Sequence, residues 1–296
     1  MTTRQKWLLG VFLALFIVAG GVIFISAMAA LLAPGGLELN ESFGKRVGVL
    51  ELNGVIEDSQ PFIRQLRSYK EDDGVQAVVV RVESPGGAVA PSQEIYQALA
   101  ALRKDKPVVV SMGAVAASGG YYAACGADSV VASPGTLTGS IGVILEFPEL
   151  EEVLKKVGIR FEVVKSGAHK DIGSPFRPMT EEERRIMQAM VDDVYEQFVE
   201  VVSSERNLDP DTVRALADGR VFSGRQALQL GLVDANGSLQ DAVDMAGRMC
   251  GLGDNPRTTR PRKTRTSLID MLTETATVLK DPMAAAGSPR MMYIFR

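Results

Sequence analysis

Histidine is almost missing from this sequence: His169 is the only one in 296 residues. That excludes a His-rich metal site and any mechanism that needs two histidines. Cysteine is nearly as scarce, with only Cys125 and Cys250. Neither lies at metal-ligand spacing, and each sits in a segment that reads as an apolar helix, so two buried thiols are expected rather than a disulfide framework. An excess of positive charge is also lacking. Lys and Arg number 32 against 36 Asp and Glu, a net charge of −4, which gives no reason to expect a nucleic-acid partner. Neither GxGxxG nor GxxxxGK[ST] occurs, so the glycines do not form a recognised phosphate loop. No metal, nucleotide or organic cofactor is expected. What the chain does have is 46% hydrophobic residues, enough to bury the core of one large domain or two small ones.

A long apolar run occurs at one place, the N-terminus. Residues 7–32 carry no charge and follow Arg4 and Lys6. As a helix this run reaches ~39 Å, more than the ~30 Å hydrocarbon core of a bilayer. "AMA" at 27–29 would suit signal-peptide cleavage, but the run exceeds the ~7–15 residues of a signal h-region. A retained anchor is therefore expected over 7–32. Positive charge before it puts residues 1–6 in the cytoplasm and everything after residue 33 outside it. The remaining divisions are a linker over 33–45, a domain over 46–250 and a tail over 251–296. From residue 257 on, that tail holds eight Lys or Arg and three Asp or Glu. Contact with anionic lipid head groups and a solvated or proteolysed tail both fit that charge.

Between linker and tail, strand-like and helix-like patterns alternate. Strands are predicted over 46–56, 75–82, 107–112, 128–133 and 159–166. Helices are predicted over 61–72, 91–104 and 149–157, then in a long run from Thr180, and over 209–217, 223–230 and 238–250. "TEEE" at 180–183 is a capping box. Ile186, Met190, Val194, Phe198 and Val201 follow at helical spacing as a packing stripe. The near-continuous apolar run "VQAVVVRV" fits a strand covered on both faces. The alternation implies an α/β fold with a parallel sheet between helices.

Two glycine-rich elements interrupt this pattern. "ESPGGAVAPSQE" (83–94) joins a strand end to a helix start. Gly86 and Gly87 fit a tight turn or a strip that another backbone approaches, with N–H groups facing an oxyanion. "SMGAVAASGGYYAACGAD" (111–128) surrounds a single hydroxyl, Ser118, with Gly and Ala after a strand expected to end at Met112. Ser118 reads either as a plain N-cap or as a nucleophile at a helix N-terminus, where free N–H groups stabilise developing negative charge. It lacks the GxSxG elbow, because Ala116 replaces the first glycine. A serine nucleophile needs a base. His169 and Lys170 are adjacent candidates in "KSGAHKDIGSPF". Histidine is the commoner base, while lysine serves only where its neutral form is populated.

The motifs "SPGG", "AASGGYYAACGAD", "TLTGSIGV", "KSGAHKDIGSPFRPMTEEER" and "DGRVFSGRQALQLGLVD" occur in this order. Together they resemble the short-form signal peptide peptidase A family, membrane-anchored serine proteases of the Clp protease/crotonase superfamily. The resemblance covers residues 45–248 and the N-terminal anchor. It implies a Clp/crotonase-like repeated ββα fold and a serine–lysine dyad, with Ser118 as nucleophile and Lys170 as base, and His169 as a neighbour facing away. It further implies oxyanion N–H groups from Gly87 or Gly86 and from Gly119, with Thr138 and Ser140 as candidates to orient the lysine. The implied substrates are cleaved signal peptides bound as an added strand. The implied setting is the inner membrane, with the catalytic domain on the extracytoplasmic side. Only one copy of the domain is present where longer family members carry two. A homo-oligomeric ring would then complete each site between subunits. Alternatives are a membrane-bound serine–lysine protease acting on other membrane proteins or lipoproteins, a crotonase-like acyl-CoA enzyme, and a non-catalytic membrane scaffold.

Overall fold

The computed structural model describes residues 20–21, 44–261 and 292–294. The expected anchor lies outside the described residues apart from Gly20 and Gly21, which are helical. Among the described residues no helix is long and apolar enough to cross a membrane. The folded unit begins at Lys45. Its strands are β1 (Arg46–Asn53), β2 (Val75–Ser84), β3 (Gly86–Ala88), β4 (Val108–Ala117), β5 (Ser129–Ala132), β6 (Leu137–Gly139), β7 (Val221–Ser223), β8 (Ala235–Asn236), β9 (Thr258–Thr259) and β10 (Met292–Ile294). The helices are α1 (Gln60–Glu71), α2 (Val89–Leu102), α3 (Gly119–Ala124), α4 (Glu151–Lys156), α5 (Glu181–Arg206), α6 (Pro210–Leu216), α7 (Gly224–Gln229) and α8 (Leu239–Met249).

The main sheet has the order β7-β6-β4-β2-β1-β9, with β5 pairing β4 and β8. All its pairings are parallel except β6 with β7. Strand β2 shows why the middle is so apolar. Val78, Val80 and Val82 pack into a core with Ile95, Leu99 and Phe198, while Ala77 and Val79 pack on the other face with Ala242, Val243 and Ala246 of α8. A strand covered by helices on both faces has no solvent side, so the alternating polar residues of a surface strand disappear. Each fully buried valine or leucine contributes roughly 1.5–3 kcal/mol relative to exposure.

Strand β4 does not stop at Met112, as the sequence pattern suggested, but continues to Ala117. Gly and Ala have little strand preference of their own, so pairing decides. The first half, Val109 to Met112, pairs with β5, and the second half, Val115 to Ala117, pairs with β6. The register against β2 shifts between Val82 and Ser84, and the Glu83 carboxylate accepts the Ala114 N–H at 2.9 Å. This irregularity turns the second half of β4 away from β5 and delivers Ser118 to a new edge.

A second correction concerns 159–166. No strand forms there, and Ile159, Phe161, Val163 and Val164 are exposed, Val164 at 97%. A strand exists only through its partner, and among the described residues none lies beside this stretch. It is held instead by stacking of Phe161 on Phe176 at 3.9 Å. The stripe on α5 is likewise only half buried: Phe198 is fully enclosed, while Ile186 and Met190 are about 40% exposed. The capping box forms as expected, with Thr180 accepting the Glu183 N–H and Glu183 accepting the Thr180 N–H. Cys125 is buried and Cys250 half-buried, and both are free thiols. Strands β9 and β10 come from the stretch beyond residue 250.

Candidate active site

Ser118 lies at the junction of β4 and α3. Its φ is +52° and its ψ −117°, a conformation that costs a non-glycine residue energy and persists only where the surroundings impose it. Two backbone bonds impose it here. The Ser118 N–H donates to the Gly139 carbonyl at 2.8 Å, and its carbonyl accepts from the Tyr122 N–H at 2.8 Å. The hydroxyl is nearly inaccessible, with the residue 1% exposed, yet Oγ has no hydrogen-bond partner among the described residues. It makes no capping bond, so the plain N-cap explanation does not hold. A buried orphan hydroxyl is costly and rare enough to need a cause.

Beside it the Ser84–Pro85–Gly86–Gly87 turn forms a strip. Ser84 Oγ donates to the Gly54 carbonyl at 2.6 Å and accepts the Gly86 N–H at 3.1 Å. Gly86 has φ +102°, and a Cβ there would collide with the Tyr293 carbonyl oxygen and come within 2.7 Å of the Gly119 nitrogen. Only glycine fits. A Cβ on Gly119 would meet Ser92 Oγ at 2.5 Å, the Tyr293 oxygen at 3.1 Å and the Gly87 nitrogen at 3.2 Å. Gly86, Gly87 and Gly119 thus converge next to Ser118, and their bare backbones face one small space. The Gly86 carbonyl and the Ala88 N–H are both bonded to Ile56, at 2.9 and 2.7 Å. The polar groups of Gly87 therefore point to the opposite edge of the strip.

Lys170 is elsewhere. It sits in an exposed turn, its backbone N–H donating to the Gly167 carbonyl at 3.2 Å. Because Ser118 Oγ has no partner, serine and lysine are not in contact within this chain. His169 also stays outside, with its Nε2 3.7 Å from a Glu182 oxygen on α5. Thr138 and Ser140 flank Gly139 next to Ser118. The Thr138 hydroxyl donates to the Ala116 carbonyl at 2.7 Å, which commits its proton, and Ser140 has φ +50°.

The sequence reading missed what holds the Lys170 loop. Arg177 donates to both Asp171, at 2.8 Å, and Glu183, at 2.5 Å, and Lys165 donates to Asp171 at 2.6 Å. Glu183 is almost fully buried. Arg177 first, and then the Thr180 N–H, lower its carboxyl from an ordinary 4.5 to about 2. Arg177 and Lys165 hold the Asp171 carboxyl well below the usual range. The signal was present in "KSGAHKDIGSPFRPMTEEE" as alternating charges around a proline-rich turn. The partners are six residues apart, too far for helix spacing to reveal them.

An aromatic group closes the other side of the site. Tyr122 stacks on Tyr293 at 5.2 Å and meets Phe198 edge-on at 5.0 Å, while Tyr96 meets Tyr122 at 5.4 Å. Burial pushes the Tyr122 hydroxyl up to about 12, so it stays neutral.

Comparison with known proteins gives the family. Peptidase family S49 matches residues 100–252 and the Clp protease family matches residues 47–136. A protein of Synechocystis named as a protease is 45% identical over 210 residues, covering 70% of this chain and 76% of that protein. The Enterococcus faecium protein named signal peptide peptidase SppA is 40% identical over 214 residues, covering 68% of this chain and 62% of that one. Protease 4 of Haemophilus influenzae is 38% identical over 214 residues, and this chain spans 35% of its length. The acyl-CoA and scaffold readings have no counterpart among these proteins. The orphan serine on its glycine strip therefore sits in a chain that belongs to peptidase family S49, a serine endopeptidase resembling signal peptide peptidase A.

Proposed function

We propose that this chain is a membrane-anchored signal peptide peptidase in which Ser118 attacks and Lys170 of a neighbouring copy takes the proton. The observation that carries this reading is the buried, unpartnered Ser118 hydroxyl in a strained backbone beside three convergent glycines. A peptide carbonyl placed there would meet the N–H groups of Gly119 and Gly87, which stabilise the oxyanion. Ser118 Oγ bonds to the carbonyl carbon as its proton passes to the lysine amine. The C–N bond breaks as that proton reaches the leaving amine. Water then adds to the ester, gives its proton to the lysine, and releases the acid and free serine. Thr138 and Ser140, beside Gly139, would accept hydrogen bonds from the incoming amine and steady it.

The proposal takes Lys170 from a second copy because the serine's own chain does not bring that residue to it. The surface around the lysine loop supports this. Val153, Val157, Ile159, Phe161, Val163 and Val164 are each about half exposed or more, and apolar residues left uncovered close together in a chain are the usual mark of an interaction surface. In a closed ring each belt would meet the same face of the next subunit, and each lysine the next serine. The membrane setting rests on the run at 7–32 after Arg4 and Lys6, a charge order that supports a domain on the extracytoplasmic face of the inner membrane, and the basic tail residues are suited to anionic lipid. Released signal peptides, apolar and already in the bilayer, are the substrates nearest to hand.

The test is subunit mixing. Ser118→Ala and Lys170→Ala chains, each inactive alone on a fluorogenic apolar peptide, should regain part of wild-type turnover when co-assembled. Verified mixed oligomers that stay inactive at every ratio would refute the shared site.

A further inference from the structure

Every N–H of the Arg177 guanidinium is committed inside the lysine loop. Nε and one terminal nitrogen grip the two Asp171 carboxylate oxygens at 2.9 and 2.8 Å. The terminal nitrogens also donate to both Glu183 oxygens, at 2.8 and 2.5 Å, and to the Pro178 carbonyl at 3.0 Å. Lys165 adds a bond to Asp171 at 2.6 Å and one to the Ala168 carbonyl at 2.8 Å. Two cations and two carboxylates therefore close on one another. The Asp171 side chain is only 14% exposed, so little of it is left for a further partner.

Asp171 follows Lys170 directly in the chain. A free carboxylate there would lie within the sweep of the lysine's flexible four-carbon stem. Pairing with it would hold the amine as ammonium, and an ammonium cannot accept a serine proton. The other charges around the loop have their own places. On α5, Glu182 lies 3.7 Å from His169 Nε2 and Glu181 lies 3.8 Å from Arg184. Phe147 packs against Gly173, and the Leu150 N–H donates to the Pro175 carbonyl at 2.7 Å; that stretch carries Glu146 and Glu149. On α4, Glu151 and Glu152 share Lys155, with Lys156 beside it. Arg160 and Glu162 flank Phe161, which stacks on Phe176.

We infer that Arg177 is a positioning residue which, with Lys165, keeps the Asp171 carboxylate away from the Lys170 amine and so leaves that amine free to take the serine proton. The inference rests on Lys170 being the base of the proposed site.

The pH dependence of kcat/KM on an uncharged fluorogenic peptide, measured with full-length oligomers in detergent, tests this. The neutral amine is the active form, so activity falls on the acid side of the profile. Arg177→Leu releases Asp171 to Lys170 and favours the ammonium. Its acid limb should move up by about one pH unit or more, roughly a tenfold loss at a fixed pH on the limb. Lys165→Met should move the limb the same way by less, and Arg177→Lys should restore part of the shift. Adding Asp171→Asn to Arg177→Leu should return the limb to its wild-type position. A loop that was merely loosened would lose activity equally at every pH and recover nothing from Asp171→Asn. A limb unmoved in both Arg177→Leu and Lys165→Met, or a shift that Asp171→Asn does not reverse, would overturn the inference and leave Lys170 as the base. If Arg177→Leu fails to assemble, Lys165→Met with and without Asp171→Asn decides by the same criteria. Full activity in Lys170→Ala would overturn the base assignment and the inference with it.

Discussion

The backbone N–H of Ser118 is tied to the carbonyl of Gly139 across 2.8 Å. That bond joins the end of β4 to the end of β6 and fixes a serine whose φ is +52°. Among the described residues no atom forms a hydrogen bond with the hydroxyl. Activity and stability should therefore respond in opposite directions. Ser118→Ala removes an orphan buried hydroxyl, so thermal stability should hold or rise by about 1 kcal/mol, while peptidase activity falls by ~10³-fold or more. Differential scanning calorimetry beside a peptide assay checks both. A clear loss of stability would mean that the hydroxyl has a partner.

The two candidate bases make opposite predictions. His169 faces Glu182 on the surface, so His169→Ala should keep activity within about twofold, as for a surface change. Lys170→Ala should lose ~10³-fold or more. Steady-state kinetics on purified oligomers that yielded the reverse order would exchange the roles.

The glycine strip makes a graded prediction. Gly86→Ala forces a positive φ on alanine and drives its Cβ against the Tyr293 carbonyl oxygen and the Gly119 nitrogen, so kcat/KM should drop on the order of 10²-fold. Gly119→Ala meets first the Ser92 hydroxyl, the end of a side chain that is able to move. Its loss should be smaller, and Ser92→Ala in the same chain should recover part of it. An equal loss without recovery would argue against the strip as the place where the carbonyl binds.

The lysine loop should loosen in acid. Glu183 titrates at about 2 in the folded chain instead of 4.5, so its contribution is complete above pH 4.5 and is lost as pH falls toward 2. Hydrogen exchange across residues 165–183 should quicken over that window. Arg177→Leu should exchange fast already at neutral pH, with the step gone and peptidase activity reduced. Exchange that is flat from pH 5 to pH 2 in wild type would show that Arg177 does not latch the loop.

Val164 has almost no contact with its own chain, being 97% exposed. Val164→Glu should leave the subunit's melting temperature unchanged, shift the oligomer toward monomer in light scattering, and lower activity with it. An unaltered oligomer would exclude this belt from the interface.

Several features were legible in the sequence because their causes are local. The capping box at Thr180 needs residues three apart. The covered strand β2 announces itself by an unbroken apolar run, and the small residues around Ser118 mark a place where backbones come close. For the base, residue chemistry alone leans to His169, and only the resemblance to the peptidase family implies Lys170 instead. Tertiary structure decided the rest, because a strand is defined by its partner. Met112 is not the end of β4, since β6 continues the pairing to Ala117. The apolar stretch at 159–166 has strand composition but among the described residues no partner strand, so most of it remains exposed. Tyr293 gives no hint in its own surroundings that it belongs against Gly87, since that contact joins residues 206 apart in the sequence (293 − 87), and no local pattern encodes it.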